Sequence, residues 1–381
     1  MKKLILLAAA ATLLVAACTK NEVSPYGNAH EIAFQTATYI TKAGITGTEF
    51  PTTETFGVYA WSAASEGTYF MNNEVVSYQN SLWKPSTTYY WPKNATVDFF
   101  CFYPAQMSEM LPGEQSFSIV GYDVKNNPVD VMYSDKAVGF TDNVDEVEDD
   151  AASGYTGVPA IFRHALAKVT FKVLVPYNHK EEADGTVTDW EVTVNSASLS
   201  GLYKAGDVTL NLDTTPTVGI VPWIKPESAN GFYVWTNDGT TADYTSAVSG
   251  LDLTVDQQET LFPEFFVLPQ ELVAGAQKVH LNVTIRTVRN GQPFLSETFD
   301  LTGDIYLAAL PAWQMNQAIT YIITVNPTSG NGNGGNPYNP DDPNDPNKPD
   351  PDDPMLDDAI ITFDPAIDGW TIVTANATIN L

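Results

Sequence analysis

The stretch FRHALAKVTFKVLV, residues 162–175, decides the fold class of this chain. From residue 167 onward, every second position is apolar, at Ala167, Val169, Phe171, Val173 and Val175. Lys168, Thr170 and Lys172 stand between them. Because successive side chains of a strand point to opposite faces, this pattern predicts a β-strand with one face buried and the other in water.

The same pattern recurs on both sides of this strand. Residues 279–285 alternate in the same way, and shorter runs such as FGVYAW and VDFFCFYP lie between Pro, Gly and Asn turn sequences. Helix signals are few, and 12% of the residues are aromatic. We therefore predict an all-β chain with two tandem antiparallel β-sandwich domains, at residues 19–160 and 161–325.

The first eighteen residues, MKKLILLAAAATLLVAAC, have the form of an export signal, with two lysines, a short apolar run and small residues before a cysteine. The tetrad VAAC at residues 15–18 resembles a bacterial lipobox, whose cysteine becomes the lipidated N-terminus. We predict a lipoprotein signal peptide at residues 1–18 and lipid attachment at Cys18. Cleavage by an ordinary signal peptidase, with Cys18 incidental, is the alternative.

Residues 326–358 are rich in Gly and Asn and then in Pro and Asp, a composition that predicts a disordered linker. Its closely spaced carboxylates also suggest calcium, but the glycine that a calcium loop needs for its turn is absent from the Pro/Asp half. Residues 359–381 follow and end in VTANATINL, which alternates as a strand does. Its apolar side chains are Val373, Ala375, Ala377, Ile379 and Leu381.

Charge and motif content exclude several classes of function. With 18 Lys and Arg against 46 Asp and Glu, the formal net charge is −28, so a nucleic acid would be repelled. The four histidines are scattered, at His30, His164, His179 and His280, and no metal or nucleophile motif surrounds them. We predict no catalytic residue, no metal site and no cofactor. A pair of carboxylates among the 46 acids remains an open alternative.

One cysteine and two tryptophans could be either core residues or functional residues. Cys101 lies inside the apolar run DFFCFYP, which predicts a core residue rather than a disulfide partner. Trp91 and Trp235 lie in aromatic runs that fill sandwich cores in most proteins, but exposed indoles at these positions would stack on sugar rings. A surface glycan-binding lipoprotein is therefore the alternative function.

Several segments together resemble the fimbrillin or type V pilin family of surface lipoproteins in Bacteroidales. They are YWP at residues 90–92 with VDFFCFYP, then PVDVMY at 128–133, FRHALAKVTFKV at 162–173, and Trp313 and Asn316 with YIITVN. Their order and spacing carry the resemblance through most of the chain up to Val325. The resemblance implies two transthyretin-like sandwich domains, lipid attachment to the outer membrane through Cys18, and polymerisation into fimbriae at the cell surface for adhesion and biofilm formation.

The resemblance also implies how subunits join. An outer protease removes the N-terminal strand with its lipid, here EIAFQTATYI at residues 31–40, by cutting between Lys42 and Ala43. Removal of this strand opens a groove, which accepts a C-terminal strand of another subunit. In this chain the side chains that would enter the groove are those of Val373, Ala375, Ala377, Ile379 and Leu381. The best-known members are cut after Arg, and this chain has no Arg before Arg163, so a cut here would need a protease that accepts Lys. One alternative is a subunit that keeps its strand and serves as a lipid-held anchor or accessory subunit. Another is a C-terminal strand that pairs within its own second domain.

Overall fold

The computed structural model describes residues 32–38, 50–65, 69–80, 82–92, 95–113, 116–140, 157–211, 233–308, 310–327 and 361–367. Every named element in these ranges is a β-strand, which confirms the all-β prediction. No helix among the described residues is long and apolar enough to cross a membrane.

The N-terminal half contributes the first ten strands. They are β1 (Phe34–Thr38), β2 (Thr55–Ser62), β3 (Met71–Gln79), β4 (Leu82–Pro85), β5 (Val97–Tyr103), β6 (Met110–Pro112), β7 (Ser116–Asp123), β8 (Met132–Ser134), β9 (Ala137–Phe140) and β10 (Val158–His164). Most of them form one sheet with the order β2-β3-β4-β1-β10-β8-β5-β9. Because β2 also pairs with β5, the path from β2 through β1 to β5 closes into a ring.

The C-terminal half contributes the remaining strands. They are β11 (Ala167–Leu174), β12 (His179–Glu181), β13 (Val187–Tyr203), β14 (Ala205–Asn211), β15 (Tyr233–Asn237), β16 (Thr241–Thr245), β17 (Leu251–Leu253), β18 (Glu259–Val267), β19 (Gln270–Glu271), β20 (Lys278–Arg289), β21 (Gln292–Asp304), β22 (Ala312–Trp313), β23 (Ala318–Val325) and β24 (Ile361–Ile367). A sheet β18-β11-β23-β24 and a sheet β12-β13-β20-β21 contribute to one core.

The core of the C-terminal half is built by the alternation seen in the sequence. Val169, Phe171 and Val173 of β11 are fully buried, as predicted, and the Phe171 ring stacks on Tyr321 of β23 at 4.8 Å between centroids. Tyr321 also accepts a hydrogen bond at 2.8 Å from the indole N–H of Trp313. The polar atoms of Trp313 and Tyr321 are therefore paired with each other, and the contact between Phe171 and Tyr321 fixes the packing of β11 against β23.

Lys168 is a departure from the simple alternation in β11. The sequence placed it on the wet face of the strand, but its side chain is only 2% exposed and its Nζ lies 2.7 Å from Glu264 Oε2 on β18. A buried ammonium needs such a carboxylate partner because desolvation without one is costly. The carboxylate of Glu264 on the neighbouring strand therefore stabilises the Lys168 ammonium in place of water.

Two strand pairs differ from the predicted antiparallel arrangement. β1 pairs in parallel with β10, and β11 pairs in parallel with β23. Parallel neighbours need a long crossover connection, and here each crossover contains several strands. The other ladders between named strands are antiparallel.

The change from one half to the other lies later than the predicted boundary between residues 160 and 161. That boundary falls inside β10, which pairs with β1 and β8 of the first sheet. The chain enters the second core at Ala167, the first residue of β11. The change between the halves therefore lies between His164 and Ala167, a few residues after the predicted boundary.

The two halves also share a sheet, which the sequence did not predict. In the order β15-β14-β7-β6, β7 of the N-terminal half pairs with β14 of the C-terminal half from Ala205↔Asp123 to Asn211↔Ser116. Phe117 and Ile119 of β7 share one buried cluster with Val208 and Leu210 of β14. The halves are therefore joined by main-chain hydrogen bonds and by a common core.

Candidate functional site

Strand β1 closes the ring of the N-terminal sheet between β4 and β10. It pairs with β10 from Phe34↔Val158 to Thr38↔Phe162, and with β4 at Phe34↔Trp83. Val158 N–H donates to Ala33 O at 3.0 Å, and Ile32 N–H donates to Tyr89 O at 2.9 Å. If β1 were removed, its neighbours on both sides would lose hydrogen-bond partners, which is the condition for accepting another strand.

The face of β1 that points into the ring is buried. Ile32 is 0% exposed and Phe34 is 1% exposed. The Phe34 ring meets Phe99 edge-on at 5.5 Å and Phe56 at 6.0 Å between centroids. Edge-to-face contacts of this kind add to the free energy of simple burial.

More aromatic side chains continue the floor beneath β1. Phe50 lies 4.9 Å from Phe162 and 5.4 Å from Trp83, measured between ring centroids, and Phe56 lies 5.3 Å from Phe162. These residues come from a connecting segment and from β2, β4 and β10. The groove under β1 is therefore lined by rings, and we call it the β1 groove.

The backbone of β10 approaches β1 closely where the groove begins. An added Cβ at Gly157 would lie 2.8 Å from Ala33 O. Glycine is therefore required at this position while a strand occupies the groove.

Cys101 and Tyr103 lie near the groove and are both hydrogen-bonded. Cys101 on β5 is buried, as predicted, and its N–H donates to Ser134 Oγ at 2.9 Å. Burial raises the pKa of the Cys101 thiol, so it stays protonated and unreactive. Burial and the neighbouring Glu54, to which the hydroxyl donates at 3.1 Å, raise the pKa of Tyr103 to about 12.

The two residues at the end of β10 are held by carboxylates. Arg163 donates to both oxygens of Asp135, at 2.9 and 2.8 Å, and His164 Nδ1 lies 2.9 Å from Asp130 Oδ1. His164 is 2% exposed. This pairing is structural, because it fixes the end of β10 against the segments before and after β8.

The remaining described histidines also lie in local pairs. His280 hydrogen-bonds Ser200 at 2.8 Å and Thr302 at 3.1 Å, while His179 lies 2.6 Å from Asp189. Within the ranges that the structure describes, no group of three His, Cys, Asp or Glu side chains could hold a metal ion. His280 and His179 thus have local partners rather than a shared site.

The predicted glycan contacts at Trp91 and Trp235 are not supported by the fold. Trp91 is 9% exposed and packs edge-on against Phe99 at 5.7 Å, inside the core of the N-terminal sheet. Trp235 is 8% exposed and belongs to the cluster shared by the two halves. Both indoles are therefore core residues in this fold.

A C-terminal strand is present, but upstream of the predicted one. β24 adds to the edge of β23 in antiparallel orientation, from Ile319↔Ile367 to Val325↔Ile361. Part of the segment 359–381 therefore pairs with its own C-terminal half. The predicted donor residues Val373, Ala375, Ala377, Ile379 and Leu381 lie outside the described residues, as do Cys18, Lys42 and Ala43.

Comparison with known proteins gives the family. A model of fimbrillin-like proteins matches residues 41–336, well over half of the chain. The chain belongs to the fimbrillin-like family. This confirms the resemblance noted in the sequence.

Two solved structures are similar to this chain. A fimbrial protein from Bacteroides vulgatus is 15% identical, with a TM-score of 0.52 over 90% of this chain and 100% of that one. A protein assigned to cell adhesion, from Bacteroides uniformis, is 18% identical, with a TM-score of 0.41 over 78% of this chain and 93% of that one. The first likeness shows the fold. The search of curated proteins found no match.

Proposed function

We propose that this chain is a non-enzymatic fimbrial subunit that joins the next subunit by exchanging a β-strand. Its family is a fimbrial family of the cell surface. The observation that carries the proposal is the position of β1, which closes the N-terminal ring with hydrogen bonds on both sides and covers a floor of aromatic rings. The partners of each subunit are other fimbrial subunits.

The physics of the β1 groove supports this proposal. Loss of β1 uncovers apolar surface around Phe56 and Phe99 and leaves backbone groups of β4 and β10 without partners. Burying apolar surface stabilises by about 25 cal/mol per Å². A strand from another chain that enters the groove regains both this burial and the ladder hydrogen bonds.

The segment 359–381 supplies the entering strand. It contains β24 and the alternating residues 373–381. The preceding Gly, Asn, Pro and Asp linker, residues 326–358, reaches on the order of 90 Å when extended at roughly 3.1 Å per residue. That length is enough for the strand to leave its own subunit.

Export and maturation fit the same scheme. Cys18 would carry the lipid that holds the precursor on the outer membrane. β1 lies between Cys18 and Lys42 in sequence, so a cut between Lys42 and Ala43 separates the strand and the lipid from the body of the subunit. One proteolytic step then opens the groove and releases the anchor.

Replacing residues 359–381 with a Gly/Ser/Asn sequence of equal length tests the proposal. We expect a folded subunit that forms no denaturation-resistant polymer after proteolytic removal of β1, because the groove then has no strand to accept. The measurement is the size distribution by gel electrophoresis of unheated samples, with circular dichroism as the check of folding.

The unaltered chain, treated in the same way, is the control and is expected to polymerise. Polymers of normal length from the replaced chain would overturn the proposal, since no C-terminal strand would then be required.

A further inference from the structure

We infer that β24, rather than residues 373–381, is the strand that replaces β1 in a second copy of this chain. Ile361 takes the position of Ile32, and Phe363 takes the position of Phe34. This inference rests on the proposed function and names the segment and the register of the exchange.

The two strands share the residues that the groove recognises. β1 and the residues before it read Ile32-Ala-Phe34-Gln-Thr-Ala37, and β24 reads Ile361-Thr-Phe363-Asp-Pro-Ala366. The spacing Ile-x-Phe-x-x-Ala is therefore the same in both. Ile32, two residues before β1 begins, and Phe34 are buried, at 0% and 1% exposure.

The pocket that Phe34 fills requires an aromatic side chain. Its walls are the rings of Phe56 and Phe99, which meet Phe34 edge-on. A smaller side chain would leave a cavity and lose these contacts. The alternating residues of 373–381 are Val, Ala, Ala, Ile and Leu, with no ring among them.

Pro365 is compatible with the groove because of the direction of the backbone groups. In a parallel ladder, alternate residues of a strand direct both N–H and C=O to the same neighbour. Ala33 O accepts from Val158 N–H on β10, whereas Ile32 N–H donates to the other side, to Tyr89 O. Thr36 therefore directs its N–H away from β10.

β4 does not extend to the level of Thr36. β4 is described from Leu82 onward and pairs with β1 at Phe34↔Trp83, so among the described residues the ladder between these two strands does not reach Thr36. Pro365 would take the position of Thr36, where the N–H that proline lacks would point away from β10, toward the side of β4. Proline is tolerated in a strand where its nitrogen faces no ladder partner.

The observed position of β24 allows it to leave. Among the strands that the structure describes, β24 is the last of the order β18-β11-β23-β24 and pairs only with β23. It can separate from β23 without opening any other ladder of that sheet. In the β1 groove the same strand would have neighbours on both sides.

Disulfide trapping tests the inference. In the isolated subunit, Ala37 of β1 pairs with Ile161, and Ala366 of β24 pairs with Thr320. After exchange, Ala366 would replace Ala37 and lie opposite Ile161 of another subunit. We expect the lipid-free chain with Ile161→Cys and Ala366→Cys, cut after Lys42 and oxidised, to give a ladder of disulfide-linked multimers on a denaturing, non-reducing gel. Cys101 is buried and does not compete.

The matched control carries Ile161→Cys and Thr378→Cys. If residues 373–381 entered the groove with Ala375 at the position of Phe34, Thr378 would lie opposite Ile161, because it stands three residues after Ala375 as Ala366 stands three after Phe363. This pair of cysteines therefore reports insertion of residues 373–381. If the Ala366→Cys variant polymerises without forming the disulfide, the inference is overturned and the proposed function stands, whether or not the Thr378→Cys variant becomes linked. Failure of the cut, unaltered chain to polymerise would overturn both.

Discussion

The variant Phe34→Ala is expected to lose about 3–5 kcal/mol of unfolding free energy in the uncleaved chain. Phe34 is 1% exposed, and its ring contacts Phe56 and Phe99 at the centre of the N-terminal core. Truncation removes these contacts and leaves a cavity that the surrounding rings cannot fill without moving. Chemical denaturation followed by Trp fluorescence measures the change.

Phe294→Ala is the matched control for this variant. Phe294 is 52% exposed and lies under Arg289, with the guanidinium carbon 4.2 Å from the ring centroid. Its removal is expected to lower the free energy of unfolding by about 1 kcal/mol or less.

Phe34→Ala should no longer lower the free energy of unfolding once β1 has been exchanged for a strand of another copy. A persistent loss in the polymer would contradict the exchange.

Neither half of the chain is expected to fold cooperatively when it is expressed alone, as residues 19–164 or as residues 165–381. Separation removes β7 from β14 and divides the cluster that contains Phe117, Ile119, Val208 and Leu210. Lys125, whose Nζ lies 4.6 Å from the Tyr244 ring centroid, also loses its partner in the other half. The measurement is thermal unfolding followed by circular dichroism.

Mixing the two halves provides the control for this experiment. The shared sheet predicts that the mixture regains a single cooperative transition, because β7 and β14 can pair without a covalent link. A half that unfolds by itself with a transition like that of the intact chain would contradict the account. It would favour instead the two independent sandwiches that the sequence alone predicted.

Local patterns in the sequence were sufficient for the strands but not for their partners. The alternation of Val169, Phe171 and Val173, and that of residues 279–285, predicted β11 and β20 because burial of one face is a local property. The shared sheet and the parallel pairs join segments far apart in the chain. No local pattern records which distant strand will be the neighbour.

The candidate site shows the same limit. The sequence predicted a strand over residues 31–40, and β1 is observed there. Its pocket is built from Phe50, Phe56, Trp83 and Phe99, which come from separate segments and meet only in the folded ring. Trp91 and Trp235 were ambiguous for the same reason, since burial of an indole depends on strands that the sequence does not place beside it.

Mild trypsin treatment of the lipid-free protein tests most directly the claim that β1 is a replaceable strand. The new N-terminus is identified by sequencing, and polymers are detected on a gel of unheated samples. The account predicts one early cut between Lys42 and Ala43, followed by multimers that resist denaturation. A chain that stays intact at Lys42, or that is cut there and remains monomeric, would contradict it.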